Sequence, residues 1–229
     1  MKVEMIRSKI RRFIANHQNL TKRLLTVFIR MHNYSYHKIS ELAGYLNNDV
    51  HPKHSITNYH AFFVDHVDSN DRVIDLGSGS GFLAFDIAKK AKSVLGIEIS
   101  ENNVSNAKRD FYRDNLFFTI GDITEYQPTE KFDKAVLSNV LEHIENRVKL
   151  LRQVRNYSPV LLVRVPMITR DWITVYKKHQ GFEYRLDQTH FVEYTLEQFF
   201  EETKEGGWKV DSYQVNWGEL WAVLKAENK

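Results

Sequence analysis

The stretch Arg72-Val-Ile-Asp-Leu-Gly-Ser-Gly-Ser-Gly-Phe82 decides how the chain is read. Val73, Ile74 and Leu76 form an apolar run of strand length. Gly77, Gly79 and Gly81 follow as a G-x-G-x-G turn, and Phe82, Leu83, Phe85, Ile87 and Ala88 open a helical pattern. A strand, a tight glycine turn and a helix start make a cradle for a nucleotide-like ligand. Glycine is needed because the backbone turns sharply and a Cβ would block the ligand's approach.

Working outward, the pattern alternates. Strands are predicted at 72–76, 94–99, 117–120, 134–138 and 160–165, with helices at 81–91, 101–113 and 140–156. Ser100 is placed to cap the second of these helices. Such alternation gives an α/β fold, a Rossmann-like doubly wound parallel sheet with helices on both faces. A helix at 56–67 precedes it. After Pro166 the rhythm stops, and residues 167–194 form a connection rich in aromatics, among them Trp172, Tyr176, Tyr184 and Phe191. A connection of that length at the carboxyl end of a strand is where substrate-covering segments sit. A helix at 195–204, capped by Thr195, follows. The last two runs, 209–217 and 220–225, flank Gly218-Glu219 and read as an antiparallel hairpin closing the sheet.

The N-terminal part differs in charge. Residues 1–30 hold eight basic side chains against Glu4 alone, a net +7, although the whole chain carries only +3. Ile6, Ile10, Phe13 or Ile14, then Leu24, Val27, Phe28 and Met31 recur at helical spacing, with a break expected near residues 16–19. Two readings stay open: a basic amphipathic segment lying on an anionic membrane or on RNA, or a helix packed on protein with its charges in water. Residues 32–55 read as mixed. The expected organisation is a basic helical extension at 1–55 and a ligand-binding domain at 56–229. His51, His54 and His60 read as solvated or hydrogen-bonded rather than as metal ligands. The absence of cysteine excludes disulfides, thiolate metal sites and a cysteine nucleophile. It fits a cytoplasmic setting, as does the lack of a membrane-spanning run or a signal-peptide core, with peripheral membrane contact through residues 1–30 left open.

Three carboxylates narrow the ligand. Glu98 ends the second strand 21 positions after Gly77, where it can accept hydrogen bonds from both ribose hydroxyls. Asp75 precedes the turn by two residues; a carboxylate there repels a pyrophosphate and suits a ligand with an ammonium group. Asp122, after the third strand, is placed to meet an adenine amino group. Phe82 stands where a dinucleotide fingerprint needs its third glycine, and Gly81 comes one place early. These features disfavour NAD.

The motifs Val73-Ile-Asp-Leu-Gly-Ser-Gly-Ser-Gly81, Gly96-Ile-Glu-Ile99, Gly121-Asp-Ile123 and Ser138-Asn-Val-Leu-Glu-His-Ile144 resemble those of the class I S-adenosylmethionine-dependent methyltransferases. Asp187-Gln-Thr-His-Phe191, with a helix and a Gly-Gly pair after it, resembles the small-molecule branch. The resemblance covers residues from about 56 to 229. It implies a seven-stranded sheet with a reversed last strand and S-adenosyl-L-methionine as cofactor. Asp75, Gly77 and Gly79 would lie by the methionine moiety, Glu98 on the ribose, and Asp122 with Ile123 at the adenine. Ser78, Gly81, Ile99 and Asn139 complete the expected cofactor-binding set. Serine at position 78 departs from the cysteine of many members.

Methyl transfer to a hydroxyl needs in-line geometry and a proton acceptor. His143, just past the fourth strand, and His190, in the aromatic connection, are the expected catalytic residues, with His190 the better base by location. Glu142-His143 also resembles the Glu-His pair of quinone O-methyltransferases, some of which use a divalent cation. Their acidic residue three places earlier is replaced here by Asn139, so no metal is expected. Ser138-Asn-Val-Leu lacks the Pro-Pro-aromatic motif of amide-nitrogen methylases. The expected activity is O-methylation of a small or lipid- or glycan-linked acceptor such as a sugar, phenol or quinone-like compound, rather than of a nucleic acid. The alternatives are an RNA or protein methyltransferase anchored by the basic arm, and a catalytically inactive cofactor-binding partner protein.

Overall fold

The apolar run around Ile74 becomes the middle of a seven-stranded sheet in the computed structural model, which describes residues 2–47 and 51–227. The strands are β1 (Arg72–Leu76), β2 (Ser93–Glu98), β3 (Leu116–Ile120), β4 (Lys134–Ser138), β5 (Val160–Pro166), β6 (Trp208–Asn216) and β7 (Glu219–Ala226), in the order β3-β2-β1-β4-β5-β7-β6. β1 to β5 run parallel, and β7 lies antiparallel between β5 and β6. The order reverses between β1 and β4, which opens a crevice at their carboxyl ends.

The chain divides into two compact units, Met1–Ile56 and Thr57–Lys229. The first contains α1 (Lys2–Asn16) and α2 (Gln18–Tyr45), and α3 (Lys53–Thr57) falls at the division. The second adds α4 (Tyr59–Asp65), α5 (Phe82–Ala88), α6 (Glu101–Asp110), α7 (Arg147–Val154), α8 (Trp172–His179) and α9 (Leu196–Glu205). Alternate strand residues feed two cores, as the two-residue period of a pleated strand requires. Ile74, Ile97, Leu137 and Leu161 pack with Leu150, Leu151, Phe199 and Trp208 on one face. Val73, Val94, Val136 and Leu162 pack with Phe62, Phe63, Leu83, Ile87 and Val104 on the other.

Several boundaries differ from the sequence reading. Helix α2 continues to Tyr45, through much of the stretch read as mixed; residues 48–50 of that stretch lie outside the described residues. The helix expected at 56–67 is two short helices, because Asn58 takes a left-handed conformation (φ 50°) and stops the first. The helix expected at 140–156 begins only at Arg147; a 3-10 turn, Leu141–His143, stands in its place. The aromatic connection holds α8, which that reading left unstructured. Asp171 caps it, accepting a hydrogen bond from the Thr174 N–H. The hairpin turn is Trp217-Gly218, one residue earlier than read, with φ values of 56° and 74°. Two left-handed residues in a two-residue turn match the twist of the flanking strands.

The helix caps follow from local chemistry. Ser100 Oγ accepts from the Asn103 N–H at 3.3 Å. Thr195 and Gln198 form a reciprocal capping box at the start of α9. Thr195→Ala is expected to lower stability by about 1 kcal/mol, read as a shift in urea midpoint with unchanged slope.

β5 and β7 are joined by a buried ion pair. Arg164 donates to both Glu219 oxygens at 2.6 Å, and its guanidinium lies 3.5 Å from the centre of the Tyr59 ring. Arg164 therefore spends its charge on Glu219, in the floor of the sheet near the crevice.

Candidate active site

The glycine turn is held by backbone bonds: the Gly77 and Ser78 N–H groups both donate to the Ile97 carbonyl, at 2.8 and 3.0 Å. Gly77 has φ 77°, and a Cβ there would lie 2.6 Å from Val140 Cγ2. Gly79 has φ 55°, yet a Cβ on it would meet nothing within 4 Å. Its side faces open space, so the turn presents bare backbone to the crevice. Gly81, with φ 88°, ends the turn at the start of α5.

Around this turn the expected carboxylates take different states. Asp75 is buried at the end of β1, and its Oδ2 has no hydrogen-bond partner. Burial, reinforced by the nearby Glu98 charge, pushes its carboxyl up to about 7. Glu98 is held by two backbone donors at 2.9 Å, Gly79 N–H on Oε2 and Ser100 N–H on Oε1, with a longer contact of 3.5 Å from Asn103 Nδ2. Both oxygens keep acceptor capacity, since a carboxylate offers about four lone-pair positions. Ser78 Oγ is buried and unpartnered, as is Asn139 Oδ1. Asn139 has φ 53°, and its N–H donates to the Arg164 carbonyl at 2.8 Å.

Asp122 is exposed, and its Oδ1 accepts from the Thr124 N–H and hydroxyl at 2.8 and 2.7 Å. It thus shapes the loop after β3. Ile123 is buried in the core, while Ile99, next to Glu98, is 68% exposed and supplies an apolar wall.

The 3-10 turn after β4 brings the expected histidines together. The His143 and His190 rings meet edge to face with centroids 4.5 Å apart. The Phe191 N–H donates to the Glu142 carbonyl at 2.8 Å, which ties the aromatic connection to this turn. Thr189 Oγ donates to Asp187 Oδ1 at 2.8 Å and lies 2.9 Å from His143 Nδ1. A hydroxyl has one proton. With that proton on the ionised Asp187, the Thr189 oxygen accepts from His143 Nδ1–H, and His143 Nε2 is left with its lone pair. Asp187 is held below the usual carboxylate range chiefly by the Thr189 backbone and hydroxyl donors. Burial lowers His143, so its neutral form is favoured at neutral pH.

His190 is more deeply buried. Burial, then the neighbouring His143, pushes it down to about 4. Its Nδ1 is 3.5 Å from Glu193 Oε1, too long for a good hydrogen bond, and Glu193 is engaged by Arg170. Glu142, His143 and His190 each offer a ligand atom within 4.8 Å of the others. The third donor of this group comes from 47 residues downstream, which motif spacing at the fourth strand does not reveal.

Residues 67–161 match a family model described as a methyltransferase domain. This region is a methyltransferase domain. The chain is 29% identical over 118 residues to a ubiquinone biosynthesis O-methyltransferase of Bradyrhizobium diazoefficiens, covering 50% of this chain and 47% of that protein. It is 28% identical over 150 residues to the mitochondrial ubiquinone biosynthesis O-methyltransferase of Candida albicans, covering 62% of this chain and 46% of that protein. The chain therefore spans about half the length of the curated relatives it matches. Among solved structures, an S-adenosylmethionine-dependent methyltransferase from Clostridium acetobutylicum aligns with TM-score 0.62 at 15% identity, over 85% of this chain and all of that one (100%). Magnesium protoporphyrin IX methyltransferase from Synechocystis, with bound S-adenosylhomocysteine, aligns with TM-score 0.59 at 17% identity, over 76% of this chain and 81% of that one. These similarities establish the fold of the methyltransferase domain.

Proposed function

We propose that the chain binds S-adenosyl-L-methionine in the crevice above β1 and β2 and methylates a hydroxyl oxygen of a small or lipid- or glycan-linked acceptor. When bound, the cofactor supplies an electrophilic methyl group on a sulfonium, a good leaving group. The residues present fit it. Asp75 Oδ2, buried without a partner, suits an ammonium; the open side of Gly79 admits the ligand close to the backbone; the spare lone pairs of Glu98 suit a ribose diol; and exposed Ile99 with the Asp122 loop suits an adenine ring.

The observation that carries an oxygen acceptor is the Asp187–Thr189–His143 chain, which fixes the imidazole with Nε2 free to take a proton. In the methyl transfer His143 Nε2 would receive the proton of the acceptor hydroxyl. His190, held neutral, packs edge-on and limits rotation of the His143 ring. On this reading His143 is the base and His190 its positioning neighbour. The quinone-type relatives favour a phenolic acceptor.

Transfer of labelled methyl groups from the cofactor into cell extract, separated into lipid, glycan, RNA and protein pools, tests this reading. Label in the lipid or glycan pool supports it. Label only in RNA or protein overturns it, and failure to bind the cofactor at all removes it.

The Glu142, His143 and His190 donors support a second reading, a divalent cation that orients the acceptor oxygen. Two imidazoles and a carboxylate are a zinc-like set rather than a magnesium-like one. On the main reading, chelation leaves turnover within about twofold, because a general base needs no ion. A tenfold loss reversed by added zinc or manganese would establish the second.

A further inference from the structure

The N-terminal unit carries a surface that the methyltransferase chemistry does not use. On α1, Val3, Ile6, Ile10 and Phe13 follow one another at spacings of three and four residues, so they stack on one face. Each is more than half exposed. At about 100° per residue, Arg7 and Arg11 border this stripe on one side and Lys9 borders it on the other. On α2, Val27, Phe28, Met31, Tyr34, Leu42 and Tyr45 also share one face, and each is at least half exposed.

The cations of residues 7–30 are not spent internally. Among the described residues, none of Arg7, Lys9, Arg11, Arg12, Lys22, Arg23 and Arg30 has an ion-pair partner. The acidic side chains of residues 1–47 are Glu4 and Glu41 alone, and Glu41 is taken by Lys38 and Tyr45. No helix among the described residues is long and apolar enough to cross a membrane.

We propose that α1 and the exposed face of α2 lie flat on an anionic lipid surface. The apolar stripe enters the headgroup–acyl boundary, while Arg7, Arg11 and Lys9 extend to lipid phosphates at the same level, the arrangement by which interfacial helices bind. Two other occupants fit less well. A second copy of this unit would bring the same excess of positive charge against itself, with no acidic face to answer it. A nucleic acid would pair with the cations but leave the stripes of both helices in water. Tyr34 and Tyr45 add aromatic rings of the kind enriched at membrane–water boundaries.

The test uses the full chain in co-sedimentation with vesicles of phosphatidylcholine, alone or doped with phosphatidylglycerol. Binding to the doped vesicles is expected, and at least about tenfold weaker binding both on neutral vesicles and on raising salt from about 50 to 300 mM. Each basic residue near such a surface is worth about fivefold in partitioning, so Arg7→Glu with Arg11→Glu is expected to lower it about a hundredfold or more. Ile6→Ser with Ile10→Ser should lower it about tenfold or more, since each buried side chain contributes to partitioning. Lys89→Glu with Lys108→Glu, in the other unit, is expected to leave it within about twofold. The altered N-terminal side chains are exposed, and an unchanged thermal transition of the sheet confirms that the variants fold.

Three results would overturn the proposal. One is equal or absent binding to both vesicle types. Another is dimerisation in light scattering that Ile6→Ser with Ile10→Ser abolishes, which assigns the stripe to a second copy. The last is RNA binding tighter than vesicle binding and insensitive to the serine changes. Cofactor binding, followed separately by calorimetry, reports on the methyltransferase reading and is independent of all three.

Discussion

Asp75→Asn is expected to make the unliganded protein more stable and the cofactor site nearly useless. Both effects come from one buried carboxyl. In the folded chain burial moves Asp75 up to about 7, whereas its ordinary value is 3.8. Between those two values the folded state binds a proton that the unfolded state has released. Stability therefore falls as pH rises from about 4 to about 7, by at most about 4 kcal/mol, and is level above. Asparagine keeps the shape and removes the ionisation. The variant should melt higher than the natural chain at pH 8, by about 5 °C or more, and the gap should shrink on going to pH 5. Cofactor affinity moves the other way, because a neutral amide cannot answer an ammonium. A loss of about a hundredfold is expected, as for removal of one member of a buried charge pair. In the natural chain the same linkage makes affinity rise with pH, about tenfold per unit below about 7. A melting gap independent of pH would show that Asp75 is not the titrating group. Unchanged affinity would remove it from the ammonium site.

This conflict explains the polar arrangement around β1. Arg164, on β5 two strands from β1, is committed bidentately to Glu219 across β5 and β7. Neither carboxylate bonded to Gly79 nor ion pair in the floor relieves Asp75. Asp75 thus keeps an unsatisfied oxygen, which under the proposed function a cationic ligand satisfies.

The crevice proposed for the cofactor was legible because it is local in sequence. A strand, three glycines and two carboxylates at strand ends are placed by β1 and β2 and by the turn between β1 and α5. Strand period and spacing suffice to bring them together. Other features depend on backbone conformations that no periodicity reports. Asn58 and Asn139 both take left-handed φ; the first separates α3 from α4, and the second turns the chain at the end of β4. Helix α8 was hidden because Trp172, Val175 and Tyr176 favour strands over helices. Its signal was Asp171, three residues before Thr174, a capping pair that sequence could have shown. The contact between Thr189 and His143 spans 46 residues and rests on the fold alone. So do the His143–His190 pair and the Arg164–Glu219 pair. The preference for His190 as base came from its place in the aromatic connection. Its deep burial depends on how that connection folds back, which pattern does not give.

His143→Ala is expected to lower the turnover number by a factor of about 100 to 10,000, the range for loss of a positioned general base. Cofactor affinity should stay within about threefold, since the carboxylates that favour cofactor binding sit on other strands. Thr189→Val separates proton acceptance from packing. It keeps the shape of the side chain and removes the oxygen that accepts from His143 Nδ1–H. The imidazole can then hold its proton on Nε2, the wrong nitrogen, and turnover should fall about tenfold or more with little change in stability. Asp187→Ala should behave similarly, because Thr189 then loses its acceptor. The pH profile adds an independent reading. His143 is lowered by burial, so the active neutral form is lost only as pH falls below the ordinary histidine value of 6.5. Turnover should be flat above that pH and fall below it. His190→Phe keeps the edge-on ring contact and has no nitrogen. Turnover near the natural level in His190→Phe, together with the collapse in His143→Ala, would fix the base at His143. The opposite pair of results would return it to His190, and loss in both with rescue by added zinc would assign the two rings to a cation.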